Sequence, residues 1–220
     1  MKKTAIILGA TGLTGGILLE KLIANDRYLS IKLFSRSKIE GLPNKVTQFI
    51  GNLLNLEQFN AVFTADEVYC CIGTTKAKTP DKDHYKEIDY GIPVTAAKLS
   101  KENNIETFLV VSALGANLNS SVFYNKTKGE MERDVQKQNI RNTFILRPSL
   151  IGGERNERRT LEKIGLTIFK VIQPLFKGKL EQYKITEPNN IAQAMINLAN
   201  STSHAEVIIT STEIKRITKN

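Results

Sequence analysis

Hydrophobic positions along this chain switch repeatedly between two patterns. Short β-rich apolar runs alternate with stretches in which apolar residues recur at helical spacing. Residues 4–8 form the first run, and Leu13, Ile17, Leu18, Leu22 and Ile23 then fall near one helical face. Strands are expected next over 31–35 and 46–50, then a short helix over 56–63 and a strand over 67–72. Residues 81–103 form a long helical stretch in which Pro93 forces a kink or a restart. Residues 107–112 are nearly all apolar, as suits a strand buried on both faces. A polar helix over 123–138 follows, then a strand over 143–146 ended by Arg147-Pro148, a helix over 190–200 and a closing strand over 206–209.

This alternation predicts an α/β fold, a Rossmann-type doubly wound parallel sheet with helices on both faces. No repeat or low-complexity linker divides residues 1–220, so a single domain is expected, long enough to bury a proper core. One irregular segment, 151–187, follows the sixth strand. Ligands of such sheets bind at the carboxyl ends of the strands, so this small C-terminal excursion is expected to cover a substrate. Its Arg155, Arg158 and Arg159 could clamp an acidic substrate. The slightly favoured alternative is that they pair with Glu154, Glu157 and Glu162 on the surface.

Two stretches carry candidate chemistry. The first strand breaks into Gly9-Ala10-Thr11-Gly12-Leu13-Thr14-Gly15 and leads directly into a helix. Strand, glycine turn and helix together let Gly9, Thr11, Gly12, Leu13, Thr14 and Gly15 present backbone N–H groups and a helix N-terminus to a pyrophosphate. Gly9 permits the tight turn, Gly12 the approach of phosphates, and Gly15 close helix–strand packing. The second stretch is Ser112 with Tyr124 and Lys128. Residues four apart on a helix share a face, so an ammonium can favour the tyrosine phenolate and bring it towards acid–base use at neutral pH. Ser112, ending the fifth strand, offers a hydroxyl to a substrate carbonyl. A second pair at this spacing, Tyr28 and Lys32, lies between the first helix and the second strand and reads as a coincidence.

Composition narrows the picture little. Hydrophobic residues make up 41% and charged residues 24%, ordinary for a globular chain. With 31 Lys and Arg against 22 Asp and Glu the formal charge is +9. The basic residues are scattered without a stripe or aromatic interleaving, which argues against nucleic acid. Cys70 and Cys71 are adjacent in an apolar run and point to opposite faces, so they read as small buried hydrophobes. No Cys/His cluster suggests a metal site. His84 and His204 have no partner pattern. No apolar run approaches a membrane span. The run after Lys2-Lys3 is a first strand and not a signal peptide, so a cytoplasmic location is expected.

The glycine turn, Ser112-Ala113-Leu114-Gly115-Ala116 and Tyr124-x-x-x-Lys128 resemble the atypical, extended-like branch of the short-chain dehydrogenase/reductase superfamily. Cys71-Ile72-Gly73-Thr74-Thr75, Lys128-Gly129-Glu130-Met131-Glu132, Leu146-Arg147-Pro148-Ser149 and Arg155-Asn156-Glu157-Arg158-Arg159 bring it nearest to the Tat-interacting-protein-like oxidoreductases. The resemblance spans residues 4–196. It implies a nicotinamide dinucleotide across the strand ends, with Tyr124 exchanging a proton with the substrate oxygen. Lys128 would hold the nicotinamide ribose and depress the tyrosine pKa, and Ser112 would orient the carbonyl. Gly73 and Thr74 would face the cofactor through backbone groups, and Pro148 would steer the chain past the nicotinamide. Asn52, followed by Leu53, stands where the family often has Asp, and its amide could still accept a bond from adenine. The family's helix-four Asn has no clear match, since Asp89 lies near that place, which puts a full proton-relay tetrad in doubt.

The residues themselves choose between cofactors. An NAD enzyme tends to carry an acid about twenty residues past the glycine motif. Here that place holds Ser35 and Arg36, with Lys38 nearby, which suits a 2′-phosphate and hence NADP(H). Three functions follow. The first is an NADP-dependent oxidoreductase acting on a small carbonyl or alcohol substrate. The second is an NADPH-sensing regulator that binds a protein partner without turnover. The third and weakest is a nucleic-acid binder. Monomer and homodimer are both compatible with the sequence.

Overall fold

The computed structural model describes residues 2–152, 182–201 and 206–219. Seven strands form one sheet in the order β3-β2-β1-β4-β5-β6-β7, every neighbouring pair parallel. The strands are β1 (Lys3–Leu8), β2 (Tyr28–Ser35), β3 (Val46–Ile50), β4 (Glu67–Cys70), β5 (Thr107–Val111), β6 (Asn142–Arg147) and β7 (Ile208–Thr210). The strand order reverses between β1 and β4, which opens the crevice where dinucleotides bind in doubly wound sheets.

The period of two along β1 divides the core. Ala5 and Ile7 face one layer with α1 (Leu13–Ala24), while Ile6 and Leu8 face the other. The first layer is completed by α5 (Pro188–Ala199) and α6 (Ser211–Ile217). The second holds a 3-10 stretch (Leu53–Val62), α3 (Ile92–Glu102) and α4 (Phe123–Gln136). The long helical stretch is composite: α2 (Lys82–Lys86) runs through a π turn (Glu87–Gly91) into α3, with Pro93 in the first turn of α3. Proline is tolerated there because the N–H it lacks has no intrahelical partner.

Three differences from the sequence reading have local causes. Tyr28 lies inside β2 and not in a loop. A register shift at the start of β2 turns it to the layer of Ile31 and Leu33, while Lys32 reaches the Val62 and Thr64 carbonyls on the other face, so the pair still builds no site. The expected helix over 56–63 is instead 3-10, capped by Asn52. The strand expected to end the chain is followed by α6, whose Thr210 and Glu213 form a capping box. Of the 151–187 excursion, 153–181 lies outside the described residues, and with it Arg155, Arg158 and Arg159. His204 lies outside them too. Ile151 bridges Thr186 in parallel, so the two ends of the excursion leave and rejoin the fold side by side.

Candidate active site at the carboxyl ends of the strands

The glycine turn is built by close backbone approach. Gly9 has φ +89°, and a Cβ there would lie 2.8 Å from the Cys71 backbone. A Cβ on Gly15 would lie 2.1 Å from the Gly9 carbonyl oxygen, so only glycine lets α1 sit this close to β1. Gly12 donates its N–H to the Gly9 carbonyl at 3.0 Å and serves as N-cap of α1. It has no side chain to cap with, and no acid sits in the first turn. The first-turn N–H groups around Leu13, Thr14 and Gly15 are thus left uncapped, and Thr11 and Gly12 are exposed. This cradle fits a pyrophosphate.

At the end of β2, Ser35 is buried and its hydroxyl donates to the Ser37 carbonyl at 2.8 Å. Its only proton is spent shaping the loop. Arg36 is exposed with no ion pair among the described residues, while Lys38 pairs with Glu40 at 3.1 Å. After β3, the Asn52 Oδ1 accepts from the Leu54 N–H at 3.0 Å, which leaves its NH2 donors and one lone pair. The Leu53 side chain is buried in the core, so only its backbone could meet a ligand.

The loop after β4 departs from expectation. Gly73 is exposed, but the Thr74 N–H donates to Asp89 Oδ2 at 2.7 Å and its carbonyl accepts from the Tyr85 hydroxyl at 3.3 Å. Both backbone groups of Thr74 are therefore committed inside the protein and not offered to a cofactor.

On α4, Tyr124 is 38% exposed and Lys128 only 3% exposed. The Lys128 ammonium pairs with Asp89 Oδ1 at 2.8 Å. Burial alone pushes this lysine down, but the Asp89 carboxylate, with Tyr124 adding to it, outweighs burial and holds its pKa above the usual lysine value. Tyr85 of α2 lies edge-on to the Tyr124 ring at 6.5 Å and to Phe123 at 5.7 Å. Burial, then Asp89, pushes the Tyr85 phenol up, so it stays neutral.

Ser112 is placed differently from the expectation. Its hydroxyl donates to Glu132 Oε1 at 2.5 Å, and Glu132 is gripped by Arg147, Nε to Oε1 at 2.9 Å and Nη2 to Oε2 at 2.5 Å. A serine has one proton to donate. Here it goes to a carboxylate, so orienting a substrate carbonyl would require leaving Glu132. Pro148 is buried, and its carbonyl accepts from the Leu114 N–H at 2.9 Å, tying the loop after β5 to the end of β6. Sequence reasoning missed Glu132 and Arg147 as a unit, although Glu132 sits one helical turn beyond Lys128 on α4.

The described residues thus form one crevice rim, with an anion cradle beside β1 and a half-exposed phenol beside a buried ammonium at the start of α4. A family model described as NAD(P)H-binding matches residues 9–170. The chain belongs to this NAD(P)H-binding family of atypical short-chain dehydrogenase/reductases. It is 33% identical over 205 residues to the mitochondrial protein FMP52 of Debaryomyces hansenii, covering 89% of this chain and 87% of that one. Its identity to mitochondrial FMP52 of Candida glabrata is 36% over 162 residues, 71% of this chain and 67% of the relative. Protein HTATIP2 of Rattus norvegicus is 29% identical over 171 residues, 76% of this chain and 70% of that one. Among solved structures, UDP-glucose 4-epimerase from Thermotoga maritima superposes with TM-score 0.70 at 14% identity, covering 98% of this chain and 82% of that one. UDP-N-acetylglucosamine 4-epimerase from Methanobrevibacter ruminantium M1 gives 0.71 at 18%, over 100% and 81%. At such identities these structures speak for the Rossmann fold.

The relatives overturn one expectation. Several are named mitochondrial, so the cytoplasmic location inferred from the first residues does not stand. It rested on the lack of a signal-peptide pattern, and that pattern speaks only about secretion. Among the described residues no helix is long and apolar enough to cross a membrane, and no group of three or more His, Cys, Asp and Glu could hold a metal.

Proposed function

We propose that this family member is an NADP(H)-dependent oxidoreductase of a small carbonyl or alcohol substrate. The observation that carries the proposal is the pairing on α4: Tyr124 stays 38% exposed while the Lys128 ammonium beside it is buried and kept charged. The dinucleotide would lie on Gly9, Thr11, Gly12, Leu13, Thr14 and Gly15, with Asn52, Leu53 and Gly73 along its adenine and central parts and Lys128 and Pro148 near the nicotinamide end. When bound, it would supply or accept the hydride. Tyr124 gives its phenolic proton to the substrate oxygen in reduction and takes it back in oxidation. Lys128 favours the phenolate that reduction leaves behind. Ser112 steadies the loop after β5 through Glu132 and reaches the substrate only if that bond opens.

Arg36 supports NADP(H) over NAD(H), since an exposed guanidinium without a carboxylate partner suits a 2′-phosphate. A panel of carbonyl compounds with NADPH tests the proposal, and turnover is expected with NADPH above NADH. Arg36→Ala should weaken NADPH binding by about tenfold or more, the scale of one charge-assisted contact, while leaving NADH binding unchanged. Equal affinities for the two cofactors in the unaltered protein would refute the preference.

One observation favours a second reading, an NADPH-sensing regulator with a protein partner. The Ser112 proton is already given to Glu132, so a standard carbonyl-orienting donor is occupied. NADPH binding without turnover on any compound in the panel would select this reading.

A further inference from the structure

The connection from β2 to β3 lacks the helix that a parallel crossover usually carries, so residues 36–45 are held by other means. At its start the Ser35 hydroxyl donates to the Ser37 carbonyl at 2.8 Å. Further along, the side-chain amide of Gln48, from the middle of β3, takes both backbone groups of Ile39. Its Oε1 accepts from the Ile39 N–H at 2.8 Å, and its Nε2 donates to the Ile39 carbonyl at 2.9 Å. A primary amide carries a donor and an acceptor as a peptide group does, so Gln48 pairs with the loop as an added strand would. The period of two along β3 puts Gln48 on the face of Val46, towards the layer of α1, where Ile39 and Leu42 also pack. Between the two ties stand Arg36, Ser37 and Lys38, all exposed. Lys38 pairs with Glu40, which leaves Arg36 as the cation of these three residues without an ion pair among the described residues.

We infer that Gln48 is a positioning residue for NADP(H), which holds this loop so that Arg36 stands ready at the end of β2 for a 2′-phosphate. This rests on Arg36 taking that phosphate. A guanidinium on a free loop must be ordered as the phosphate arrives, and the lost freedom offsets part of the contact. A loop already tied at Ile39 has less freedom to lose. NADH carries no 2′-phosphate and gains nothing from the tie. Gln48 thus sets cofactor discrimination through Ile39 and the loop.

The test follows the fluorescence of the reduced nicotinamide as NADPH and NADH are titrated into the full chain. Gln48→Met keeps the shape of the side chain and removes both bonds to Ile39. It should weaken NADPH binding by about three- to tenfold and leave NADH binding unchanged. In an Arg36→Ala background the same change should have no further effect on NADPH, because the loop then carries nothing to position. Amide hydrogen exchange should quicken at Ile39 and not at the glycine turn. An unchanged ratio of the two affinities in Gln48→Met overturns the inference. So does an undiminished effect in the Arg36→Ala background, or a loosening spread evenly over the sheet. Should Gln48→Met not fold, Gln48→Asn keeps the amide but is one methylene too short to pair, and the same outcomes apply. Equal affinities for NADPH and NADH in the unaltered protein refute the cofactor preference and the role of Gln48 with it. A preference that survives Gln48→Met intact refutes the role of Gln48 alone.

Discussion

The two ends of the sheet use the same three groups, a lysine, a carboxylate and tyrosine, to opposite effect. At the amino ends, Glu67 is 1% exposed and takes Lys3 on one oxygen and the Tyr28 and Tyr69 hydroxyls on the other, at 2.9 and 2.6 Å. The two phenol oxygens also lie 2.9 Å apart, and with one proton each they share two donated bonds among these three contacts. Burial, then the Glu67 charge, pushes Tyr28 up to about 12 and Tyr69 well above the ordinary phenol value. At the carboxyl ends the carboxylate holds the lysine and the tyrosine is left half exposed. A phenol that donates to a buried carboxylate is locked neutral, whereas one beside an ammonium can give its proton away. An open cleft of about 480 Å³ lies at the amino end, but Lys3 is paired with Glu67, Arg141 with Glu106 at 3.2 Å, and Asp66 accepts from the Thr4 N–H and hydroxyl. Among the described residues, its loose end is the buried Asn200 Oδ1, which has no partner. The contrast teaches that composition does not mark a reactive site; the direction of the hydrogen bonds and the exposure of the phenol do.

The largest expected effect separates the ends by function. Tyr124→Phe should lower turnover by about 10²-fold or more, the usual scale of a lost general acid, with little change in thermal stability. Tyr69→Phe should do the opposite, leaving turnover intact while costing about 1–3 kcal/mol in urea unfolding through the lost bond to Glu67. If Tyr69→Phe lowered turnover as much as Tyr124→Phe, the division of roles would fail. Next in size is Glu67→Ala. Breaking a buried pair costs about 3–5 kcal/mol, and here two phenols lose their acceptor as well. Lys3, which is 27% exposed, can turn to water, so the low end of that range is expected.

The sequence displayed the carboxyl end of the sheet better than the amino end. The glycine turn was legible because backbone geometry forces glycine: the 2.1 Å clash at Gly15 admits nothing else. Tyr124 and Lys128 were legible because four-residue spacing on a helix is a local property. The partners of Lys128 and Ser112 were not. Asp89 comes from another helix through a π turn that no periodicity announces, and Glu132 reaches Ser112 only because α4 packs beneath the end of β5. The amino-end cluster joins β1, β2, β4 and the end of α5, and its hydrogen bonds span up to 196 residues of the chain. Tyr28 and Lys32, set aside as a coincidence, lie on β2, because sequence spacing carries no information about which element will hold a pair. The last helix was missed although Thr210-Ser211-Thr212-Glu213 spells a capping box.

A smaller effect tests where Ser112 belongs. Ser112→Ala removes one bond to Glu132, but Arg147 still holds both carboxylate oxygens. The expected cost is about 1–2 kcal/mol in unfolding, with turnover reduced far less than by Tyr124→Phe. A loss of turnover equal to that of Tyr124→Phe, with stability unchanged, would show that the hydroxyl leaves Glu132 to serve the substrate.

The smallest effect is alkaline. An unfolded tyrosine ionises near pH 10, whereas Tyr28 in the folded protein ionises at about 12. Between these values the folded state binds the extra proton, so stability is full below pH 10 and falls as pH rises towards 12. Tyr69 is raised for the same reasons and adds to the fall. Tyr28→Phe should therefore start less stable at pH 8, because Glu67 loses a donor, yet lose less on going to pH 11. Unfolding curves at the two pH values for both proteins measure this. Parallel losses would mean that the Tyr28 proton is not what the amino-end cluster protects. The comparison of the two ends would then rest on exposure alone and not on the direction in which each phenol's hydrogen bond points.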